Sequence, residues 1–121
     1  MEYKEKIRNM LEALPDKILL KEKEIIEKEE AADKIELETK SIDLSYERQI
    51  ATEIDDEGKK KFKNEMERKT ELEKRLRLNT LYQDKISRIS ELRKEIKQEG
   101  IMLSYLKRRH RSAIGLSRLE E

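Results

Sequence analysis

The chain has 121 residues; Lys and Arg number 29, Asp and Glu 28, so that 47% of it is charged while the net charge is only +1. Hydrophobic residues make up 35%, with one Pro, three Gly, one His and no Cys. This mix suits long helices and coiled coils rather than a globular core. It excludes a disulfide framework, a thiolate metal site, a Cys nucleophile and a multi-histidine metal site.

Residues 1–14 read as a short amphipathic helix, because Tyr3, Ile7, Met10 or Leu11, and Leu14 recur at three and four. Pro15 is expected to end it and to open the next helix, since proline lacks the N–H and its ring suits a first turn. A second helical pattern covers 15–54, through Ile18, Ile25, Ala32, Ile35, Ile42, Tyr46, Ile50 and Ile54. Its steps drift from strict sevens, which predicts a seam that straightens locally. At about 1.5 Å per residue such a helix is roughly 60 Å long and needs another helix to cover its seam.

Asp55-Asp56-Glu57-Gly58-Lys59-Lys60-Lys61 is the one clear break, with Gly58 suited to a left-handed backbone. Asn64 reads as an N-cap with Glu67 as its capping-box partner. Phe62, Met66, Leu72 and Leu76 give the next helix an apolar side, and Asn79-Thr80 is a point of kink or restart. From there Ile89, Leu92, Ile96, Glu99, Leu103, Leu106, His110 and Ala113 alternate steps of three and four, a heptad seam with two polar members. Gly115 is expected to stop the helix. The expected fold is all-α, a long helical hairpin or coiled coil that self-associates, with residues 1–14 as a short helix and 15–121 as a hairpin turning near 55–63.

Charge is segregated along the chain. Residues 1–57 hold 10 Lys/Arg against 18 Asp/Glu, whereas 58–121 hold 19 against 10. Opposite-sign arms favour antiparallel pairing and set orientation. Some basic surface is expected to remain for an anionic ligand. The densest cluster, Lys107, Arg108, Arg109 and Arg111, is the candidate for phosphate contact, with Tyr105 nearby as a base-stacking candidate. His110 falls on the seam and reads as a packed residue. Lys59, Lys60, Lys61 and Lys63 form a looser patch at the turn, where lysines also serve solubility.

Searches for chemistry fail. There is no Gly-rich phosphate loop, paired-His zinc motif or nucleophile elbow, and Asp55, Asp56 and Glu57 lack calcium-loop spacing. The expectation is a protein without catalytic residues, metal or cofactor. No run approaches 18 apolar residues and the first 24 are charged throughout, so neither a membrane span nor a signal peptide is expected. The expected location is cytoplasmic.

From about Asp43 to Leu116 the chain resembles small helical proteins of tailed phages, the recombination mediators of the UvsY type. The resemblance rests on the Asp55–Gly58 break, on Lys63-Asn64-Glu65-Met66, and on the basic segment Leu103 to Arg111. It covers about 60% of the chain, through motifs of low specificity, and does not reach the first 42 residues. It implies a homo-oligomer that binds single-stranded DNA and works beside a recombinase and a single-strand-binding protein in a phage-infected or prophage-carrying cell. Lys107, Arg108, Arg109, Arg111 and Tyr105 would then contact the strand. The alternative is a structural or adaptor coiled coil whose basic cluster meets acids of a partner protein.

Overall fold

A computed structural model describes residues 2–119. The chain is all-α, in the order α1 (Glu2–Thr52), α2 (Glu65–Leu78) and α3 (Thr80–Leu119). It divides into two compact units. One joins the chain up to Glu30 with the chain from Leu92 onward; the other is Ala31–Glu91.

In the first unit α1 contributes the buried Ile7 and Leu14 and the half-buried Ile18 and Ile25. From α3 come the buried Leu92 and Ala113 with the half-buried Ile96, Leu103 and Leu106 between them. The pairing is antiparallel, because Lys28 meets Glu95 and Glu99 while the earlier Glu22 meets the later Lys107. In the second unit α1 contributes the buried Ala32, Thr39 and Ile50 and the half-buried Ile35, Ile42 and Tyr46. Glu38 pairs there with Lys85, Tyr46 with Asn79, and Glu53 with Arg75, so that pairing is antiparallel too.

The helix expected to end at Leu14 does not end there, and Pro15 lies inside α1. An interior proline costs about 3 kcal/mol. Leu14, 3% exposed, and Ile7 lie in the covered stripe, and burying two such side chains is worth roughly 3–6 kcal/mol. Pro15 itself points to solvent, so packing on the opposite side holds the helix together through it.

The expected drift in the α1 seam is confined to its far end, where Ile42, Tyr46 and the buried Ile50 step by four and four. Covered positions step by three and four through Leu14, Ile18, Lys21, Ile25, Lys28, Ala32, Ile35, Thr39, Ile42 and Tyr46. The apolar count alone skipped Lys21, Lys28 and Thr39, whose polar side chains disguise seam positions. Thr39 is buried because its hydroxyl donates to the Glu36 carbonyl at 2.7 Å, which satisfies the group within its own helix. Ile54 is no seam residue. α1 stops at Thr52, and Ile54, 61% exposed, forms an isolated bridge with Lys60.

The break between α1 and α2 is built on Asp55. Its carboxylate accepts the Glu57 and Lys59 backbone N–H groups at 2.9 and 3.0 Å, and its carbonyl accepts that of Gly58. Gly58 has φ +80, the only positive φ among the described residues. The Asn64 carboxamide accepts the Glu67 N–H at 2.8 Å, and Glu67 accepts the Lys63 N–H at 2.9 Å in return. Met66, expected on the apolar side of α2, is 78% exposed.

Asn79 separates α2 from α3 with an extended backbone, and its side-chain oxygen caps the Tyr82 N–H at 2.8 Å. The Asn79 amide nitrogen donates to the Tyr46 hydroxyl, tying the restart to α1. α3 then runs through both Gly100 and Gly115 to Leu119, so Gly115 is not its stop. A Cβ added at either helical glycine meets nothing within 4 Å.

The three glycines therefore respond in opposite directions. Gly100→Ala and Gly115→Ala should each raise stability by about 1 kcal/mol, because Ala is the better helix former and has room. Gly58→Ala should lower it by about 1 kcal/mol through left-handed strain. Thermal melts followed by circular dichroism check both signs.

Candidate nucleic-acid interface

Which cations remain for a ligand depends on which the acidic arm consumes. Lys28 donates to Glu99 at 2.7 Å and lies 3.6 Å from Glu95. Lys85 pairs with Glu38 at 2.5 Å. Arg75 binds Glu53 at 2.6 Å and Glu71 at 2.9 Å. Lys85 and Arg75 of the return chain thus meet the α1 carboxylates Glu38 and Glu53, Lys28 meets Glu95 and Glu99 in the reverse sense, and Arg75–Glu71 lies within α2.

The ties shift protonation. The hydrogen bond to Lys85 holds the Glu38 carboxyl below its ordinary value, and that to Arg75 does the same for Glu53. Hydrogen bonding to Glu99 raises the Lys28 ammonium. Burial, with the Asp43 charge beside it, raises the Tyr82 phenol.

The lysines of the turn are partly spent. Lys61 lies 3.5 Å from Glu53 and 5.7 Å above the centre of the Phe62 ring. Lys59, Lys60 and Lys63 are exposed. This patch adjoins Asp55, Asp56 and Glu57, so its local charge is mixed.

The α3 cluster is different. Lys107, Arg108, Arg109, Arg111 and Tyr105 are all exposed, and His110 is half-buried on the seam beside them. The helix does not bring the five candidates together. At about 100° per residue, Lys107, Arg108 and Arg111 fall within one arc of roughly 100°, as do Lys97 and Arg118. From Lys97 to Arg118 the same arc otherwise holds Gly100, Ser104 and Gly115, and no acid. Arg109 and Tyr105 lie on the other flank of the seam, where the Arg109 guanidinium sits 5.7 Å from the Tyr105 ring centre. That contact occupies a ring face that a base would use.

One acid approaches the arc from α1: Glu22, 3.9 Å from Lys107, in a pair about half exposed. Such a pair is worth little and opens readily. Lys97 escaped the sequence reading because it stands ten residues from the cluster; plotting α3 at helical spacing would have found it.

Among the described residues no group of three or more His, Cys, Asp or Glu side chains converges to hold a metal ion. Nor is any described helix long and apolar enough to cross a membrane. The grooves are shallow, such as the one between Ile50, Ala51 and Leu72 with Glu47, Arg68 and Lys69 at its rim. Comparison with protein-family models, curated proteins and solved structures returns no match for this chain.

Acidification tests the ion pairs. With folded-state values depressed at Glu38 and Glu53, the unfolded chain binds more protons once pH falls below about 4.5, so their stabilisation is present above that range and lost below it. The melting temperature should fall from about pH 5 to about pH 3. Glu38→Gln with Glu53→Gln should start lower at neutral pH and fall less over the same interval.

Proposed function

We propose that this protein is a non-catalytic, self-associating helical accessory protein that binds single-stranded DNA through the outer face of α3. The observation that carries the proposal is the acid-free arc of Lys97, Lys107, Arg108, Arg111 and Arg118. Over the 21 steps from Lys97 to Arg118 it runs about 31 Å along the helix. Exposed cations in a row neutralise successive phosphates and release counterions, which supplies affinity without sequence preference. The basic segment is also the part of the chain that resembles the phage recombination mediators. On that reading the protein acts beside a recombinase and a single-strand-binding protein.

Self-association is supported by large apolar side chains left outside the seams. Leu19, Leu20, Ile26, Leu37 and Leu44 on α1 are all more than half exposed. A monomer with so many uncovered residues gains by covering them.

A second reading, an adaptor that binds an acidic helix, is favoured by one contact. Glu22 beside Lys107 shows a carboxylate on a helix satisfying a cation of the cluster.

Fluorescence anisotropy with single- and double-stranded oligonucleotides at several salt concentrations separates the two. Five phosphate contacts give a slope of log K against log salt of about −3.5 for single strands, at about −0.7 per contact. Arg108→Glu with Arg111→Glu should cut that slope by roughly half and weaken all sequences alike. Arg109→Glu should change it far less, since Arg109 lies off the arc. Unchanged binding in the double variant would remove the arc as the DNA site and leave the adaptor reading.

A further inference from the structure

We infer that an acidic amphipathic helix of another protein docks on the flank of the α1–α3 pair that faces away from the basic arc, in the unit formed by the chain up to Glu30 and from Leu92 onward. This site is separate from the arc and stands whether or not the arc binds DNA.

Two contacts define the flanks. Glu22 and Lys107 meet on one side of the seam, the side of the basic arc. Lys28 reaches Glu95 on the other. Helical spacing puts Tyr3, Met10 and Leu20 of α1 on that second side, with Met102, Tyr105 and Leu116 of α3. Met10 is half-buried, and the other five are exposed, from 37% at Leu116 to 58% at Leu20. The 17 steps from Tyr3 to Leu20 run about 25 Å, room for nearly five turns of a helix laid along the pair. Leu19, Ile26, Leu37 and Leu44 lie on the opposite side of α1 and remain for self-association.

Apolar side chains alone name no occupant; the charges among them do. Lys6, Lys17 and Arg109 stand on this flank, all exposed. From Met102 to Leu116 α3 carries no acid, and between Tyr3 and Leu20 the acids Glu5, Glu12 and Asp16 turn to other faces of α1. Further along the pair, Glu24 and Glu95 are spent on Lys21 and Lys28. The Glu22–Lys107 contact sets Leu20 level with Arg109 and Lys17 level with Ser112, so Lys17 and Arg109 lie about one turn apart on facing helices. No acid stands three or four residues from either in its own helix. Arg109 rests on the Tyr105 ring, and Lys17 has no partner among the described residues. Paired helices ordinarily set opposite charges along their flanks. Two cations there repel each other until a carboxylate comes between them. The surface therefore fits a helix that lays an apolar stripe over Met10, Leu20, Met102 and Leu116 and brings carboxylates to Lys17 and Arg109. A second copy seated through this same flank about a two-fold axis sets Arg109 against Arg109, so like charges oppose that occupant.

The probe is a fluorescein-labelled peptide of about 18 residues with Leu at three-and-four spacing and Glu beside each Leu. One control carries Lys in place of Glu, and another holds the same residues in an order that scatters the Leu. Anisotropy should show the Glu peptide bound at least about tenfold more tightly than either control. Lys17→Glu with Arg109→Glu should reverse the charge preference, so that the Lys peptide binds better. Leu20→Ser with Met102→Ser should weaken the Glu peptide by about tenfold. Both variants should keep the parent's helix content by circular dichroism, its sedimentation, and its salt slope of oligonucleotide binding, which separates this site from the arc. Equal binding of the Glu peptide and its scattered control, or an unchanged preference in the Lys17→Glu, Arg109→Glu variant, overturns the docking site and leaves the DNA reading standing. A parent oligomer that dissociates in either flank variant shows a second copy on this flank and overturns the foreign helix.

Discussion

Helix α1 has one apolar stripe and little else to bury, and the fold depends on a second helix lying along that stripe. Isolated helices gain little from backbone hydrogen bonding in water, so coverage of the stripe is what holds 51 residues in one helix. The stripe is thin. Ala32 and Ala113 are fully covered, and small side chains at such points let the backbones approach closely. Where the stripe turns polar, the groups are answered locally. Thr39 returns its hydroxyl to its own helix, and Lys28 meets Glu99 across the seam. A half-buried ion pair adds little net stability, because desolvation offsets much of the attraction. It penalises registers that would leave either charge alone, and so selects one alignment.

The seam also sets what faces outward. Because α3 spends one stripe on α1, its remaining side chains are sorted into flanks by helical spacing. Lys97, Lys107, Arg108, Arg111 and Arg118 fall on one arc, and Met102, Tyr105, Arg109 and Leu116 fall on the other flank. One helix thus carries two surfaces of different character on either side of its contact with α1. Tyr105 illustrates the sorting. Its nearness in sequence to the basic segment suggests a stacking role, yet the helix turns it away from the arc and Arg109 covers its ring.

Charge segregation works through the same geometry. An acidic α1 and a basic return chain would be costly if each were left to itself. Antiparallel pairing sets Glu38 against Lys85 and Glu53 against Arg75, and the carboxyls respond with lowered protonation. The cations of the cluster have one such partner on α1, the loose Glu22 contact at Lys107. The surplus of positive charge therefore gathers on the outside of α3.

Much of this was legible in the residues themselves. Composition and periodicity sufficed for an all-α fold, and the break at Asp55–Lys61, the cap at Asn64 and the α3 seam depend on local chemistry that a short stretch of chain carries whole. The exceptions share a cause. Pro15 and Gly115 are strong local signals to stop a helix, and each was overruled by packing on the opposite side of the same helix. Lys21, Lys28 and Thr39 hid three seam positions because a polar residue enters a seam only when a partner satisfies it: Glu24 on the same helix for Lys21, Glu99 far along the chain for Lys28, and the backbone of its own helix for Thr39. Ile54 looked like seam until the helix ended two residues before it. The candidate cluster was found by counting charges. Its division into an arc and a flank was not, because that depends on which stripe of α3 meets α1. Sequence determines the spacing of side chains around a helix; only the tertiary contact decides which direction is inward.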